Sequence, residues 1–325
     1  IWLTCLSFMV NHGLILKMKA HILENLRKGE NTVSGQALSA QLGISRVSIW
    51  KHIQQLQALG YKITSSAKGY RLENSPDVPY PWEFADREPR IIYHAELNST
   101  MDAAKQLARN GCPDFTTVIA GRQTSGRGRL NRQWHSDKGG LYFTVVLRPD
   151  LPPVLSFRVS FLASLTLAGT LNEMFGIDVR VKWPNDLLVD ERKICGMLSE
   201  LEAEADRVAF INVGIGINVN NDPSGIEPAA TSLKAILGRR VSIKDIVARY
   251  LDAFEQRMQK TAYDRVIEEW KAVTVTLNRE VRVVTTRDVF TGKAIDVDDN
   301  GALVLKCADG SVQKVLYGDC FHQSR

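Results

Sequence analysis

Four short stretches carry the residue types that chemistry on an anionic ligand requires. "SGRGRLNRQW" at 125–134 alternates Gly126 and Gly128 with Arg127 and Arg129, so backbone can approach a ligand while guanidinium groups supply positive charge. No Gly-Lys-Ser/Thr closes the run, which excludes a mononucleotide P-loop, and the G-x-G-x-x-G dinucleotide fingerprint is missing. Alone, such a loop fits an RNA-binding patch or a solvated turn equally well. In "VKWPNDLLVDERKICGML" at 181–198, Pro184 ends a strand near Trp183 and places Asn185 and Asp186 on the loop that follows. Lys193 and Gly196 fall in the next strand-like run, where a buried lysine needs an anionic partner. In "VGIGINV" at 213–219, the period of two puts Gly214, Gly216 and Asn218 on one face, cleared of side chains except for a single amide. A flat ligand fits that face. One by one, a turn former, a solvated strand end and a close strand crossing explain Asp186, Lys193 and the glycine pair as well.

The elements that must position these residues fall into three segments. Residues 18–72 carry helical spacing in "MKAHILENLRKG", a second helix in "SGQALSAQLG" with Ser34 as N-cap and Gly43 as stop, and a third in "SRVSIWKHIQQLQALG". The third places Ile49, Trp50, Ile53 and Leu56 on one inward stripe and leaves Arg46, Lys51, Gln54 and Gln55 outward. A hairpin follows in "YKITSSAKGYRL", completing a winged helix-turn-helix pattern. Here Lys17, Lys19, Arg27, Lys28, Arg46, Lys51, Lys62, Lys68 and Arg71 face only Glu24 and Glu30, which favours a nucleic-acid partner over a helical module for protein contacts. Residues 73–90 hold four prolines and read as an extended linker. A new domain begins near Ile91, where β-like runs mix with helices over 158–175 and 243–259, giving an α+β or α/β layer. From Val281 short strands separated by "DDNG" and "ADG" turns describe a small β-barrel-like domain that leans on the central one.

At 325 residues with 44% hydrophobic and 24% charged content, the chain is an ordinary globular protein of two or three domains. The net charge of +5 says less than its concentration in the first segment. Cys5, Cys112, Cys195, Cys307 and Cys320 form no C-x-x-C pair or Cys/His cluster, so zinc is not indicated and they read as reduced cytosolic thiols. "IWLTCLSFMV" lacks a basic n-region and is too short to span a bilayer, and it reads as an extension ahead of a start at Met18.

In their order and spacing, "GRGRLNRQW", "KWPND", "RKICGML" and "GIGIN" resemble the biotin protein ligases. The basic N-terminal module makes the chain similar to those members that also repress the biotin operon. The resemblance runs from about residue 19 to the C-terminus. It implies an α+β multidomain fold: a winged helix-turn-helix over 18–72, a linker over 73–90, a class II synthetase-like α/β catalytic domain over 91–275 and an SH3-like barrel over 276–325. It implies an ATP-dependent, AMP-forming biotin–protein ligase. Such an enzyme joins biotin to ATP as biotinyl-5'-adenylate, with magnesium accompanying the nucleotide, and passes biotin to a carboxylase carrier lysine.

By the family's pattern Ser99, Thr100 and Gln123 serve the ureido end of biotin, and Gly126, Arg127, Gly128 and Arg129 fold over the ligand. Gly196, Gly214 and Gly216 line the biotin face together with Lys193. Arg127, Arg129, Lys182, Asn185 and Asn218 attend the nucleotide. Arg129, Lys193 and Asp186 form the catalytic set, with Asp186 handling the acceptor lysine or assisting magnesium. Ser45, Arg46, Ser48, Lys51 and Lys68 are the DNA-contact candidates, and no protein-built metal site is implied. The implied partners are a biotin carboxyl carrier domain, operator DNA and a second copy in a ligand-promoted homodimer, in the cytoplasm and away from membranes. The 121–140 loop is then a mobile lid that shields a mixed anhydride from water. Met101 stands where some members carry Asn, and Asn131 where Gly is frequent. Two rivals share the pattern: a biotin-sensing regulator without ligase activity, and a ligase for lipoate or octanoate.

Overall fold

The structure, a computed structural model, describes residues 16–29, 32–260 and 263–323. The reading of an upstream extension falls on residues that lie mostly outside this range, although Leu16 already packs on the first core. The chain divides into two compact units, Ile1–Ile92 and Tyr93–Arg325.

In the first unit, α1 (16–28), α2 (Gly35–Leu42) and α3 (Arg46–Ala58) precede an antiparallel wing of β1 (Lys62–Ser66) and β2 (Gly69–Asn74). The Ser34 hydroxyl accepts the Ala37 amide, and Ser45 accepts that of Ser48, so both helices of the turn start on side-chain caps. Gly43 closes α2 in the left-handed conformation at φ 66°. Gly69 is a second forced glycine: φ is +135°, and a β-carbon there would stand 2.1 Å from the Val33 carbonyl oxygen. Ile22, Leu23, Leu38, Ile49, Ile53 and Leu56 are fully buried.

Two expectations change here. Trp50 is 51% exposed rather than part of the inward stripe, because at about 100° per residue it sits a quarter-turn from the line through Ile49, Ile53 and Leu56. The stretch 73–90 is no extended linker. It folds into 3-10 turns at Pro81–Glu83 and Ala85–Arg90, with Trp82 buried in the first core. The Trp82 indole N–H donates to the Tyr61 hydroxyl at 2.9 Å, and that hydroxyl donates to Glu83. Arg27 donates to both Glu83 oxygens at 2.8 and 2.9 Å. Aromatic side chains between prolines supply the burial that composition concealed.

The second unit is built on a seven-stranded sheet in the order β3-β4-β5-β9-β8-β7-β6, with β3 at Ile91–His94, β4 at Thr117–Ala120 and β5 at Leu141–Leu147. Then come β6 (Arg180–Lys182), β7 (Asp186–Val189), β8 (Arg192–Glu204) and β9 (Arg207–Ile217). Every pair from β4 to β6 is antiparallel, so the layer is α+β. Its helices are α4 (Thr100–Arg109), α5 (Phe157–Phe175), α6 (Leu233–Leu237), α7 (Ile243–Lys260) and α8 (Val266–Val273). α5 is long and apolar enough to cross a membrane. It is instead a core helix, packed on α7, α8 and the sheet with residues from Val159 to Leu171 buried.

The last five strands, β10 (Glu280–Val284), β11 (Val289–Val297), β12 (Leu303–Lys306), β13 (Val312–Val315) and β14 (Asp319–His322), pair in the order β13-β12-β11-β10-β14. Only residues 316–318 join the two edge strands. A flat sheet would separate those edges by about 19 Å, while the link reaches about 14 Å. The sheet must therefore curl toward a barrel. It is fastened to the larger sheet where the Trp183 indole donates to the Gly301 carbonyl at 3.2 Å and Arg279 holds Glu191 at 2.6 Å.

Candidate active site

A cavity of about 350 Å³ opens on the second unit, within the range of small-ligand sites. Its roof is the glycine-arginine stretch, folded as a flap that doubles back on itself. Gln123 N–H donates to the Ser136 carbonyl at 3.1 Å, Trp134 N–H to Gly126 at 2.9 Å and Gly128 N–H to Arg132 at 2.7 Å. Gly126 is needed for this zipping: a β-carbon there would lie 2.4 Å from the Trp134 carbonyl oxygen and 2.5 Å from the Ser136 hydroxyl. Here the missing side chain lets backbone approach backbone.

Beneath the flap runs a buried polar chain. Thr144 donates to Thr100 at 2.8 Å, and Thr100 donates to the Gln123 amide oxygen from its hydroxyl at 3.1 Å and its N–H at 2.8 Å. The Gln123 amide nitrogen donates to Ser136 at 2.8 Å. The Ser99 hydroxyl is buried in the cavity wall without a protein partner, a group suited to a neutral polar ligand. The floor is the glycine face: Gly196 pairs with Gly216, and Leu198 with Gly214, across β8 and β9. It is covered as well as cleared. A β-carbon on Gly216 would meet the Trp134 indole at 2.4 Å, one on Gly196 the same ring at 2.8 Å, and one on Gly214 the Met101 sulfur at 2.5 Å. The Trp134 indole nitrogen is itself buried without a partner.

Both predicted cations line the cavity and both address the Asn185–Asp186 turn. Lys193 Nζ lies 2.7 Å from Asp186 Oδ1 and 5.3 Å from the Trp134 ring centre. Arg129 donates to the Gly318 carbonyl at 3.1 Å and to Asn185 Oδ1 at 3.4 Å. Burial pulls the Arg129 guanidinium below its ordinary value, with Asp319 and Asp186 opposing the shift. Asp186 begins β7, paired with Lys182 across the hairpin, instead of lying on a free loop. The Asn185 amide nitrogen is fixed by the Met197 carbonyl. Arg127 lines the rim with its guanidinium engaged by Asp102, at 2.6 Å, and by Glu200. Asn218 accepts from the Asn221 amide at 3.0 Å and so braces the turn after β9.

The small barrel supplies wall residues that the sequence did not single out. Asp319 forms an ion pair with Arg132 at 2.7 Å, and the Arg132 guanidinium lies 5.9 Å from the Phe321 ring centre. Cys320 lines the cavity with its thiol pushed up to about 11 by burial. Arg132 was visible as a third arginine in the quoted loop, whereas nothing in "GDCFH" marks a strand beside a site formed far upstream, between Ser99 and Asn218. No group of three His, Cys, Asp or Glu side chains that could hold a metal exists among the described residues. The DNA candidates belong to the first unit: Ser45 and Ser48 share the α3 cap, Arg46 and Lys51 are exposed on α3, and Lys68 lies between the wing strands.

Comparison with known proteins matches residues 93–218 to the biotin/lipoate A/B protein ligase family, 19–71 to an HTH domain and 276–323 to the biotin protein ligase C-terminal domain. The bifunctional ligase/repressor BirA of Bacillus subtilis is 34% identical over 306 residues, covering 90% of this chain and 94% of that protein. The chain belongs to the biotin/lipoate A/B protein ligase family. Within that family, the bifunctional ligase/repressor BirA of Escherichia coli is 28% identical over 306 residues, with 88% of this chain and 91% of that protein covered. A biotin protein ligase from Aquifex aeolicus, solved in complex with biotin and ATP, superposes with a TM-score of 0.61 at 28% identity. It covers 72% of this chain and 99% of its own. The HTH match places this chain with the members that carry a DNA-binding module.

Proposed function

We propose that the chain is a biotin protein ligase that also acts as a DNA-binding repressor. It forms biotinyl-5'-adenylate from biotin and ATP and transfers biotin to a carrier-protein lysine. The observation that carries the site assignment is the convergence of Arg129 and Lys193 on the Asn185–Asp186 turn beside a glycine floor. In the first step a biotin carboxylate oxygen attacks the α-phosphorus of ATP, the bond to the bridging oxygen breaks, and pyrophosphate leaves. Two anions must meet, and the two cations lower that electrostatic barrier. Asp186 holds Lys193 aimed into the cavity until the ligand's own negative oxygens replace it. Ser99, Thr100 and Gln123 orient the uncharged ureido ring, whose carbonyl and N–H groups match neutral partners. Trp134 and Met101 give way to, or close over, the ring system on the glycine floor.

In the second step a neutral lysine amine attacks the acyl carbon, the acyl–oxygen bond breaks and AMP departs with the electron pair, while the amine's extra proton passes to solvent. Asp186 orients this amine, since a carboxylate lies about six units too low in pKa to deprotonate it efficiently. Magnesium enters with the nucleotide. Asp186 and the Asn185 amide would hold such an ion together with the phosphates, and it would neutralise phosphate charge there. The free thiols fit a cytoplasmic location. A ligand-promoted homodimer would match a two-half-site operator, and sedimentation with and without biotin plus ATP measures it.

The deciding experiment incubates the full chain with ATP, biotin and a biotin carboxyl carrier domain. A mass gain of one biotinyl group on the carrier, absent when lipoate or octanoate replaces biotin, is expected. No gain with biotin leaves a regulator, and a gain with lipoate makes the chain a ligase for another acid.

A further inference from the structure

The outward face of α3 is not uniformly polar. Val47 is 63% exposed and Trp50 51% exposed, and with Lys51 and Gln54 they occupy i, i+3, i+4 and i+7, a single stripe along the helix. The opposite stripe is already complete, since Ile49, Ile53 and Leu56 are fully buried, so folding places no demand on an indole at position 50. The helix and the wing that follows it carry cations. Lys28 and Arg71 are paired with Glu24 and Glu73, but Arg46, Lys51, Lys62 and Lys68 have no acidic partner among the described residues. A solvent-facing tryptophan and valine in a unit that carries these unneutralised cations is complementary to a polyanion that presents apolar groups. Duplex DNA does this only where thymine 5-methyl groups line the major groove.

We propose that Val47 and Trp50 are specificity-determining residues that read thymine methyl groups in the major groove. Gln54, one turn further along the stripe, faces the adjacent base edge, where an amide pairs with adenine N6 and N7. Lys51 and Arg46 take phosphates. The N-terminal end of α3 is the end that a second helix of this motif presents to bases, and Ser45 and Ser48 are occupied in capping it. Sequence preference thus rests on the apolar pair, and the flanking cations add affinity without choice of base. The inference rests on the DNA-binding reading of the first unit.

The test uses the full chain with biotin and ATP and a pool of randomised 30-base-pair duplexes of about that length. Each thymine of the enriched duplex is then replaced singly by deoxyuridine, which removes the 5-methyl and nothing else. Uracil should weaken binding about fourfold per methyl at one or two positions in each half-site. Trp50→Ala and Val47→Ser should erase that difference while leaving the salt dependence of binding and carrier biotinylation unchanged. Equal affinity for thymine and uracil duplexes at every position, or the difference surviving in both variants, overturns the inference. So does the absence of any enriched sequence, or a Trp50→Ala variant that loses self-association while keeping the uracil effect, which would make the stripe a protein contact. If the full chain binds no duplex at all, the DNA-binding reading itself fails.

Discussion

The Arg129 guanidinium and the Lys193 ammonium are held in different ways. Lys193 has a carboxylate at 2.7 Å, while Arg129 is buried against neutral acceptors on Gly318 and Asn185. Among the described residues Arg129 has no carboxylate in contact, so it gains most from an incoming anion. Arg129→Gln should lower the adenylation rate by about 2 kcal/mol or more, roughly thirtyfold, with little change in melting temperature; pre-steady-state pyrophosphate release reads this. Gly126→Ala acts through the flap, because the new methyl meets the Trp134 carbonyl oxygen 2.4 Å away. It should cost about 1–3 kcal/mol of flap closure and release the adenylate at least several-fold faster, measured by chasing labelled adenylate with cold ligand. The cations, the glycine floor and the Asn185–Asp186 turn were legible in the sequence, because charge and missing side chains are read position by position. What covers the floor was not legible: Trp134 and Met101 reach it through folds of the chain that no local pattern encodes.

Flap and barrel meet through three contacts on one side: Arg129 to the Gly318 carbonyl, Arg132 to Asp319, and Arg132 over Phe321. The Arg132–Asp319 pair is partly exposed, so its worth is about 0.5–1 kcal/mol. Arg132→Gln and Asp319→Asn should each speed adenylate dissociation about two- to fivefold. The double variant should do no more than either single one, and high salt should erase the effect; additive losses would mean that the two residues act separately. The barrel also carries a pH signature. His322 is pushed down to about 4, by burial first and then by Lys182 and Arg279, with Glu191 opposing. An unfolded histidine titrates near 6.5, so between these values the unfolded chain binds more protons. The stability contribution is full above about pH 6.5 and is lost as pH falls through about 4. Melting temperature should fall across that window and fall less in His322→Gln. α5 and α7 match the helical runs at 158–175 and 243–259 because each buries a long apolar stripe, whereas β14 spans four residues without alternation, and its place is set by the register of β10.

The molecule joins a DNA-binding unit to a catalytic one at Ile92 and Tyr93, within two residues of the boundary the sequence placed near Ile91, but the stretch before that join is folded where the sequence suggested an extended linker. Prolines at 76, 79, 81 and 89 suggested a free linker, yet Trp82 and Glu83 belong to the core and the polar network of the first unit. Deleting residues 1–75 would strip those side chains of their partners and expose Trp82. That truncation should aggregate, while deletion of 1–91 should leave a soluble chain that biotinylates the carrier and binds no duplex; light scattering and carrier labelling compare the two. Equal solubility of both truncations would show that residues 1–75 are not needed to keep Trp82 covered. The measurement that bears most directly on the central claim is biotin-dependent exchange of pyrophosphate into ATP, which isolates adenylation from transfer. With Arg129 and Lys193 acting together on the acyl phosphate, Arg129→Gln and Lys193→Gln should each cut exchange by at least tenfold, and the double variant by less than the product of the two. Full exchange in both single variants, with a defect confined to carrier labelling, would contradict it.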